Sequence, residues 1–546
     1  MKKIISLSLI LIISSVNILA QMNSPSNVVL SALQDELKRS TAELQLKNFE
    51  KPYFIEYKLQ DIQTYRIDAR FGALTVSGGG RARRGSAQVR VGDYEFDNSN
   101  SFGGGMDFSS IESIMDAVEA GGGGQTLPYE DDYEAIRQRF WLMTDSAYKS
   151  AIEQIAAKRA SIKNNPPDEV YPDLSKENPV TDLTEAQKIE LDVPKFEKMI
   201  KNLSAIFKNY PDIINSNVSM FVFSSDNLMI NNEGFLIRKP SNYLGLNIQA
   251  DTQTEDGYNL GASRTIYGKT LASISDEAEL TKIANDLAND LLKTRSAPKF
   301  DETYIGPVLL TENAAVNIFA QSFASNLINR RGSGSRDLSD RINRRVLPSF
   351  LSMTDNPSLD KIGKTELPGA YKFDSQGIEA KPLTLVENGI LKNVLTSRTP
   401  TKFSKQSNGR SGGISNLIVE ANVRKTFAEL KAELINQCKI LKIPFGIMIK
   451  GVNSGGSSIY KVYVEDGREE LVRGANVEGV SLQDFRQILA AGDDAWTVNF
   501  PSRGGDANVS SVTAPSILME EMVLRKDGFS KSRPYILTNP YFDKKQ

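Results

Sequence analysis

Tyr304-Ile305-Gly306-Pro307-Val308-Leu309-Leu310-Thr311-Glu312-Asn313-Ala314-Ala315-Val316 is the stretch on which the reading of this chain turns. Tyr304 to Leu310, with its Gly306-Pro307 entry, opens the second half of the chain. Thr311 has the side chain of a helix N-cap, and Glu312 suits the positive end of a helix dipole. The spacing beyond them predicts a helix over Thr311 to Arg331. The flanking sequence shows what this segment joins.

Downstream the pattern is mainly β. Leu383 to Val386 and Ile390 to Leu395 flank Glu387-Asn388-Gly389. Lys461 to Glu465 and Arg468 to Val472 flank Asp466-Gly467. Asn-Gly and Asp-Gly are strong short hairpin signals. Upstream, helix and meander alternate twice. Residues 24–48 read as an amphipathic helix through Leu30, Leu33, Leu37, Leu44 and Leu46. Short strands are expected at Tyr53 to Tyr57, Tyr65 to Ala69, Ala73 to Ser77 and Ala87 to Val91, punctuated by Gly72 and Gly78-Gly79-Gly80. The glycine-rich stretch 98–128 reads as a loop or lid. A helix over 129–161 carries Ile136, Phe140, Met143, Ala147 and Ile152 near one face, and 163–183 reads as a linker. A helix near 194–208, strands at Met220 to Phe223, Leu228 to Asn231, Phe235 to Arg238 and Leu244 to Asp251, and a helix over 276–295 complete this half. The expectation is an α+β fold. An N-terminal α/β-meander region over 21–300 precedes a largely antiparallel β C-terminal domain over 301–546.

The first twenty residues stand apart. Lys2 and Lys3 precede an apolar run from Ile4 to Ile13, and Ala20-Gln21 offers a small residue at a plausible cut. That order describes a secretory signal peptide over 1–20. The mature chain is expected to be soluble and periplasmic or otherwise extracytoplasmic, with no integral membrane span.

Composition removes several kinds of chemistry. Lys and Arg number 65 against 67 Asp and Glu, so bulk electrostatics does not favour nucleic acid. One cysteine, Cys438, precludes an intrachain disulfide. There is no histidine. Ser-His-Asp and Cys-His catalysis and the H-E-x-x-H zinc signature are thereby excluded. Ser458-Ile459-Tyr460-Lys461 has the S-x-x-K spacing, but on a strand those two side chains point to opposite faces. Asp493-Asp494 and Glu520-Glu521 read as solvated neighbours. Arg81, Arg83, Arg84 and Arg90 read as an exposed strand face. Gly332-Ser333-Gly334-Ser335 lacks the G-x-S-x-G elbow and reads as a connection.

The order of segments resembles the TldD/PmbA family, metallopeptidase-like proteins also described as modulators of DNA gyrase. The likeness is carried by Ala73 to Val76, Val89 to Tyr94, Leu127 to Asp132 and Trp141 to Lys149. In the second half it is carried by Tyr304 to Leu309, Asp374 to Gly377, Leu385 to Lys392 and Ala514 to Leu518. It runs over nearly the whole mature chain and looks like the family's exported branch. The resemblance implies a two-domain chain with an unusual antiparallel C-terminal domain. Active TldD-type members carry H-E-x-x-x-H on a helix and a downstream cysteine as zinc ligands. They pair with PmbA-type members that lack the ligands, and the pair encloses a cavity where an unfolded peptide is cleaved.

Here Thr311, Glu312 and Val316 occupy the metal-motif positions, and only Glu312 keeps its type. Gly504 to Ser511, where the family's cysteine would fall, has none. Cys438 lies too far upstream and reads as buried or incidental. No catalytic, cofactor-binding or metal-binding residue is therefore assigned. The expected role is a non-catalytic subunit that binds unfolded peptide, a TldD-type paralogue carrying the zinc motif, or both, with a homodimer as the fallback. In such a pair Glu312 would line the shared cavity. The alternatives are a peptidase whose metal ligands come from its partner and an envelope interaction protein that retains only the fold.

Overall fold

The computed structural model describes residues 27–100, 124–167, 169–185, 189–274, 276–329, 331, 338–453, 456–501, 509–526, 531–533, 535–537 and 539–542. The leader over 1–20, most of the glycine-rich stretch 98–128, the Gly332 to Ser335 run and Gly504 to Asn508 lie outside them.

The first half is built on one sheet. Its strands are β1 (Pro52–Arg70), β2 (Ala73–Val91), β3 (Gln125–Thr126), β4 (Thr181–Leu183), β5 (Ile213–Asn231), β6 (Leu236–Gln253) and β7 (Asn259–Gly268). Their order is β3-β2-β1-β5-β6, with β4 and β7 both on the outer edge of β6. Each expected meander is thus a hairpin of two long strands. Phe71 and Gly72, both at positive φ, turn β1 into β2. Gly78 to Gly80 do not break β2. Gly79 pairs with Tyr65, and a Cβ at Gly79 would lie 2.7 Å from the Tyr65 ring. The aromatic ring covers the glycine backbone, which keeps the strand continuous where local propensity predicts a turn.

Alternation along β1 decides what the sheet buries. Ile55, Tyr57 and Leu59 pack against α1 (Asn27–Glu43) and α2 (Tyr133–Asn164). Farther along the same face, Ile67 and Ala69 pack against α3 (Val193–Ala205) and α4 (Glu277–Ser296). Val29, Ala32, Leu33 and Leu37 recur at helical spacing on α1 and are buried. The Asp132 carboxylate caps α2 by accepting the Ala135 N–H at 2.8 Å. Ile136, Phe140, Met143 and Ile152 of α2 are buried as expected, each contributing about 1.5–3 kcal/mol of burial.

The arginine cluster is not an exposed face. Arg83 is buried between Asp61 and Asp131, at 2.8 Å from each. Arg81 shares Asp61 at 2.6 Å, and buried Arg90 pairs with Asp97 at 2.8 Å. A buried guanidinium needs a carboxylate, and the strand register supplies it: Asp61 lies directly across from Arg83.

In the second half β8 (Tyr304–Leu310) lies inside a seven-stranded sheet, parallel to Phe445–Asn453 and antiparallel to Ile517–Lys526. A six-stranded sheet covers one of its faces, and its one parallel pair joins Asn416–Ala421 to Val509–Ala514. Val308 and Leu310 enter the core between the sheets, whereas Leu309 faces the helix α6 (Phe427–Leu441) with Cys438. The largely antiparallel character of this half is as expected. Both hairpins form, with Asn388, Gly389 and Gly467 at positive φ.

The helix after β8 differs from expectation at both ends. It comprises α5 (Asn313–Ile318), a wide π turn over Phe319–Phe323 and a 3-10 turn over Ala324–Leu327. Phe319 and Phe323 are both buried and both pack on Phe485, at 5.4 and 5.1 Å between ring centroids. The helix stops at Leu327 because Ile328 turns extended and bridges Leu395.

A buried polar seam joins the halves. Arg398 is 2% exposed and forks onto Glu233 with bonds of 2.7 and 2.8 Å. It also donates to the Ser175 carbonyl at 2.6 Å. Beside it, buried Asp173 pairs with Lys158 at 2.5 Å and Arg331 at 2.6 Å. Asp173, Leu174 and Ser175 of the segment between α2 and β4 are buried in this seam.

Candidate functional site

Away from the seam the halves part around a cleft of about 820 Å³. One wall is β7 from Asn259 to Arg264, with Asp286 and Asp290 of α4. The opposite wall is Glu312, Asn313, Lys450, Ser458 to Tyr460 and Leu471 to Ala475. Among the described residues β7 pairs only with β6, and Glu469–Val472 is the edge strand of its sheet. Two strand edges therefore border one cleft.

Glu312 reaches the cleft because of how β8 ends. Thr311 is not the helix cap. Its N–H donates to the Ile449 carbonyl at 2.9 Å, and its buried hydroxyl donates to the same oxygen at 3.3 Å. Thr311 is thus the last rung of β8. The chain must turn within one residue to start α5, and Glu312 makes that turn at φ 53°, ψ −137°. A side chain at positive φ outside the small allowed region costs about 1–3 kcal/mol and persists only where its surroundings hold it. Glu312 takes the cap position without a side-chain capping bond.

Its carboxyl is consequently available. Burial pushes it above the usual carboxylate range, while Arg264 and Lys450 pull the other way. No described residue hydrogen-bonds it. Lys450 is itself committed to Glu469 at 2.9 Å. Burial raises the Glu469 carboxyl too, but Lys431 and Lys450 bring it below its ordinary value. The cleft thus offers one half-buried acceptor beside an exposed guanidinium and two strand edges. That set can hold backbone N–H groups of a guest, but has no nucleophile–base pair.

The remaining motif positions do not approach a metal site. Val316 is fully buried in the core between the sheets. Cys438 is buried on the other side of β8, its thiol pushed up to about 11 by burial. Zinc takes nitrogen, thiolate and carboxylate ligands in tetrahedral sets. A valine, a hydroxyl turned into a β ladder and one carboxylate do not make such a set. Among the described residues no three His, Cys, Asp or Glu side chains converge to hold a metal. The residues do not fit the family's zinc.

The other acidic and basic motifs fall apart as chemistry. Lys461 bonds Glu302 at 2.5 Å, while Ser458 lines the cleft. Asp494 accepts the Ser516 N–H and hydroxyl, which makes it a loop clamp rather than a solvated neighbour. Glu520 and Glu521 are exposed side by side. The glycine-to-arginine wall of β7, Gly261 to Arg264, carries no motif in the sequence; the one local signal beside it is the Asp256-Gly257 turn ahead of it, where Gly257 sits at positive φ.

Known proteins resemble this chain in sequence and fold. Residues 302–526 match the family described as the PmbA/TldA metallopeptidase C-terminal domain. The metalloprotease PmbA homolog of Haemophilus influenzae is 25% identical over 397 residues, covering 70% of this chain and 80% of its own. The solved structure of TldE from Thermococcus kodakarensis has a TM-score of 0.56 and 13% identity over 90% of this chain and 99% of that one. A Thermotoga maritima structure, described as a modulator of a DNA gyrase, has a TM-score of 0.56 and 16% identity, covering 90% of this chain and 100% of its own. At these identities the two structures bear on the fold alone. No described helix is long and apolar enough to cross a membrane.

Proposed function

This chain belongs to the TldD/PmbA family, and from that premise we propose that it is an exported, non-catalytic subunit that holds an extended, unfolded peptide in the cleft between its halves. The carrying observation is the fate of the motif positions. Glu312 alone faces the cleft, while Thr311 and Val316 are turned into ladder and core. The scaffold of the site is kept and its metal chemistry is not.

In this reading the guest lies as a strand along a free edge, with main-chain bonds giving affinity and alternate side chains giving selectivity. Glu312 accepts an N–H from it. Hydrolysis belongs to a TldD-type paralogue that carries the histidines, and the two chains bury more than about 1,000 Å² between them. A homodimer is the fallback assembly. Export follows from the basic start and the apolar run Ile4 to Ile13. The N-terminus of the exported protein should lie near Gln21.

The test is purification of the chain alone and with the His-containing relative of its own cell. Alone it should carry no stoichiometric zinc and show no chelator-sensitive peptidase activity. Zinc near one equivalent per chain, retained through dialysis, would overturn the non-catalytic role. A chain that stays monomeric with every such relative would overturn the partnership and favour the envelope-interaction reading.

A further inference from the structure

The chain's own C-terminal segment borders the cleft. Its described residues are Lys531 to Arg533, Tyr535 to Leu537 and Asn539 to Phe542. They run across one end of the first sheet. The Ser532 N–H donates to the Gly257 carbonyl at 2.9 Å, at the turn between β6 and β7. Asn259 donates to the Ser532 hydroxyl at 3.1 Å. The approach is close: a Cβ at Gly257, which sits at φ +89°, would lie 2.4 Å from the Ser532 carbonyl oxygen. Next, Asn539 reaches the Ile213 carbonyl at the start of β5. Finally the Tyr541 ring stacks on Phe71 at the β1–β2 turn, 5.2 Å between centroids, with the Lys208 ammonium 5.4 Å from the same ring.

Between these anchors Tyr535 forms part of the cleft wall. Ile536 and Leu537 are 98% and 84% exposed. Two aliphatic side chains held in water contribute no burial to the closed position. The segment is kept in place by a few hydrogen bonds, including one from Gln253 to the Ser532 carbonyl, one ring stack and the cation–π contacts Lys531–Tyr258 and Lys208–Tyr541. Contacts of that kind belong to the low-stability end of a protein, which opens without global unfolding.

We propose that the described residues of this segment, Lys531 to Arg533, Tyr535 to Leu537 and Asn539 to Phe542, act as an autoinhibitory strap, an internal occupant of the cleft rim that an incoming extended peptide must displace. The proposal rests on the peptide-binding reading of the cleft. Because the strap is tethered, it competes at high effective concentration with weak contacts alone. A guest's apparent affinity is then reduced by the fraction of chains in which the strap is open.

The experiment separates the strap from that reading. Ser458→Cys places a thiol in the cleft wall, and buried Cys438 stays silent to a bulky maleimide. Labelling rates are compared in the full chain, in a chain ending at Lys526 and in the full chain carrying Tyr541→Ala, a surface change that spares folding. Removal of the strap should speed labelling about tenfold and Tyr541→Ala about threefold, as expected for a local opening equilibrium. A fluorescein-labelled, carboxymethylated unfolded peptide should bind tighter by the same factors. Equal labelling in all three chains overturns the strap. Faster labelling with no peptide bound by any chain sustains the strap and overturns the peptide reading instead.

Discussion

Two of the places where the halves face each other, the seam and the cleft, are built on opposite plans. At the seam every major charge has its partner: Arg398 forks onto Glu233, and Asp173 bridges Lys158 and Arg331. At the cleft the Glu312 carboxyl is half-buried, strained at its backbone and without a hydrogen bond among the described residues. Satisfied buried ion pairs hold an arrangement, because breaking one leaves an uncompensated charge. A half-buried carboxylate that no protein group bonds leaves its charged form short of the stabilisation an ion pair gives. The seam ties the halves together; under the proposed function the cleft is where a guest completes the bonding.

Breaking the seam should have the largest effect. Arg398→Met leaves Glu233 buried without its guanidinium and should cost about 3–5 kcal/mol in urea unfolding. Arg398→Met with Glu233→Met should recover most of that loss, since both charges leave together.

Acid should act on the seam's flank next. Burial pushes the Asp97 carboxyl up, but Arg90, Ser99 and Tyr53 together hold it below its ordinary value. A depressed folded pKa adds stability above the unfolded value near about 3.9, lost as pH falls through the folded one. Stability should therefore drop below about pH 4, and Asp97→Asn should flatten that limb while costing about 1.5–3 kcal/mol at pH 7.

The cleft should respond least and with the opposite sign. A carboxyl whose folded pKa is raised destabilises the fold when charged, and that penalty fades as pH falls through the raised value. Glu312→Gln removes it, so the variant should be about 0.5–1 kcal/mol more stable at pH 7. Equal destabilisation by Glu312→Gln and Arg398→Met would erase the contrast between the two meetings.

What the sequence makes legible follows from the range of the forces involved. Asn388-Gly389 and Asp466-Gly467 announce their hairpins because positive φ is a local demand. The apolar spacing of α2 announces its buried face for the same reason. Gly78 to Gly80 mislead, because the ring that keeps β2 extended sits across the hairpin on Tyr65. Arg83 and Arg90 read as surface, since Asp61 reaches Arg83 only through the strand register and Asp97 reaches Arg90 only once the chain has turned back after β2. Glu312 carries its family position in the sequence, yet its strained turn is set by a ladder bond from Thr311 to Ile449, 138 residues away. The β7 wall and Arg264 carry no local signal, because a cleft between halves exists only once both have folded.

The most direct test of the account is fluorescence anisotropy of a labelled, carboxymethylated unfolded peptide titrated with the full chain in EDTA. Saturable binding that chelator leaves unchanged is predicted, weakened about tenfold by Glu312→Gln, which turns a charge-assisted hydrogen bond into a neutral one. No saturable binding, or binding abolished by EDTA and restored by zinc, would contradict a metal-free peptide-holding cleft.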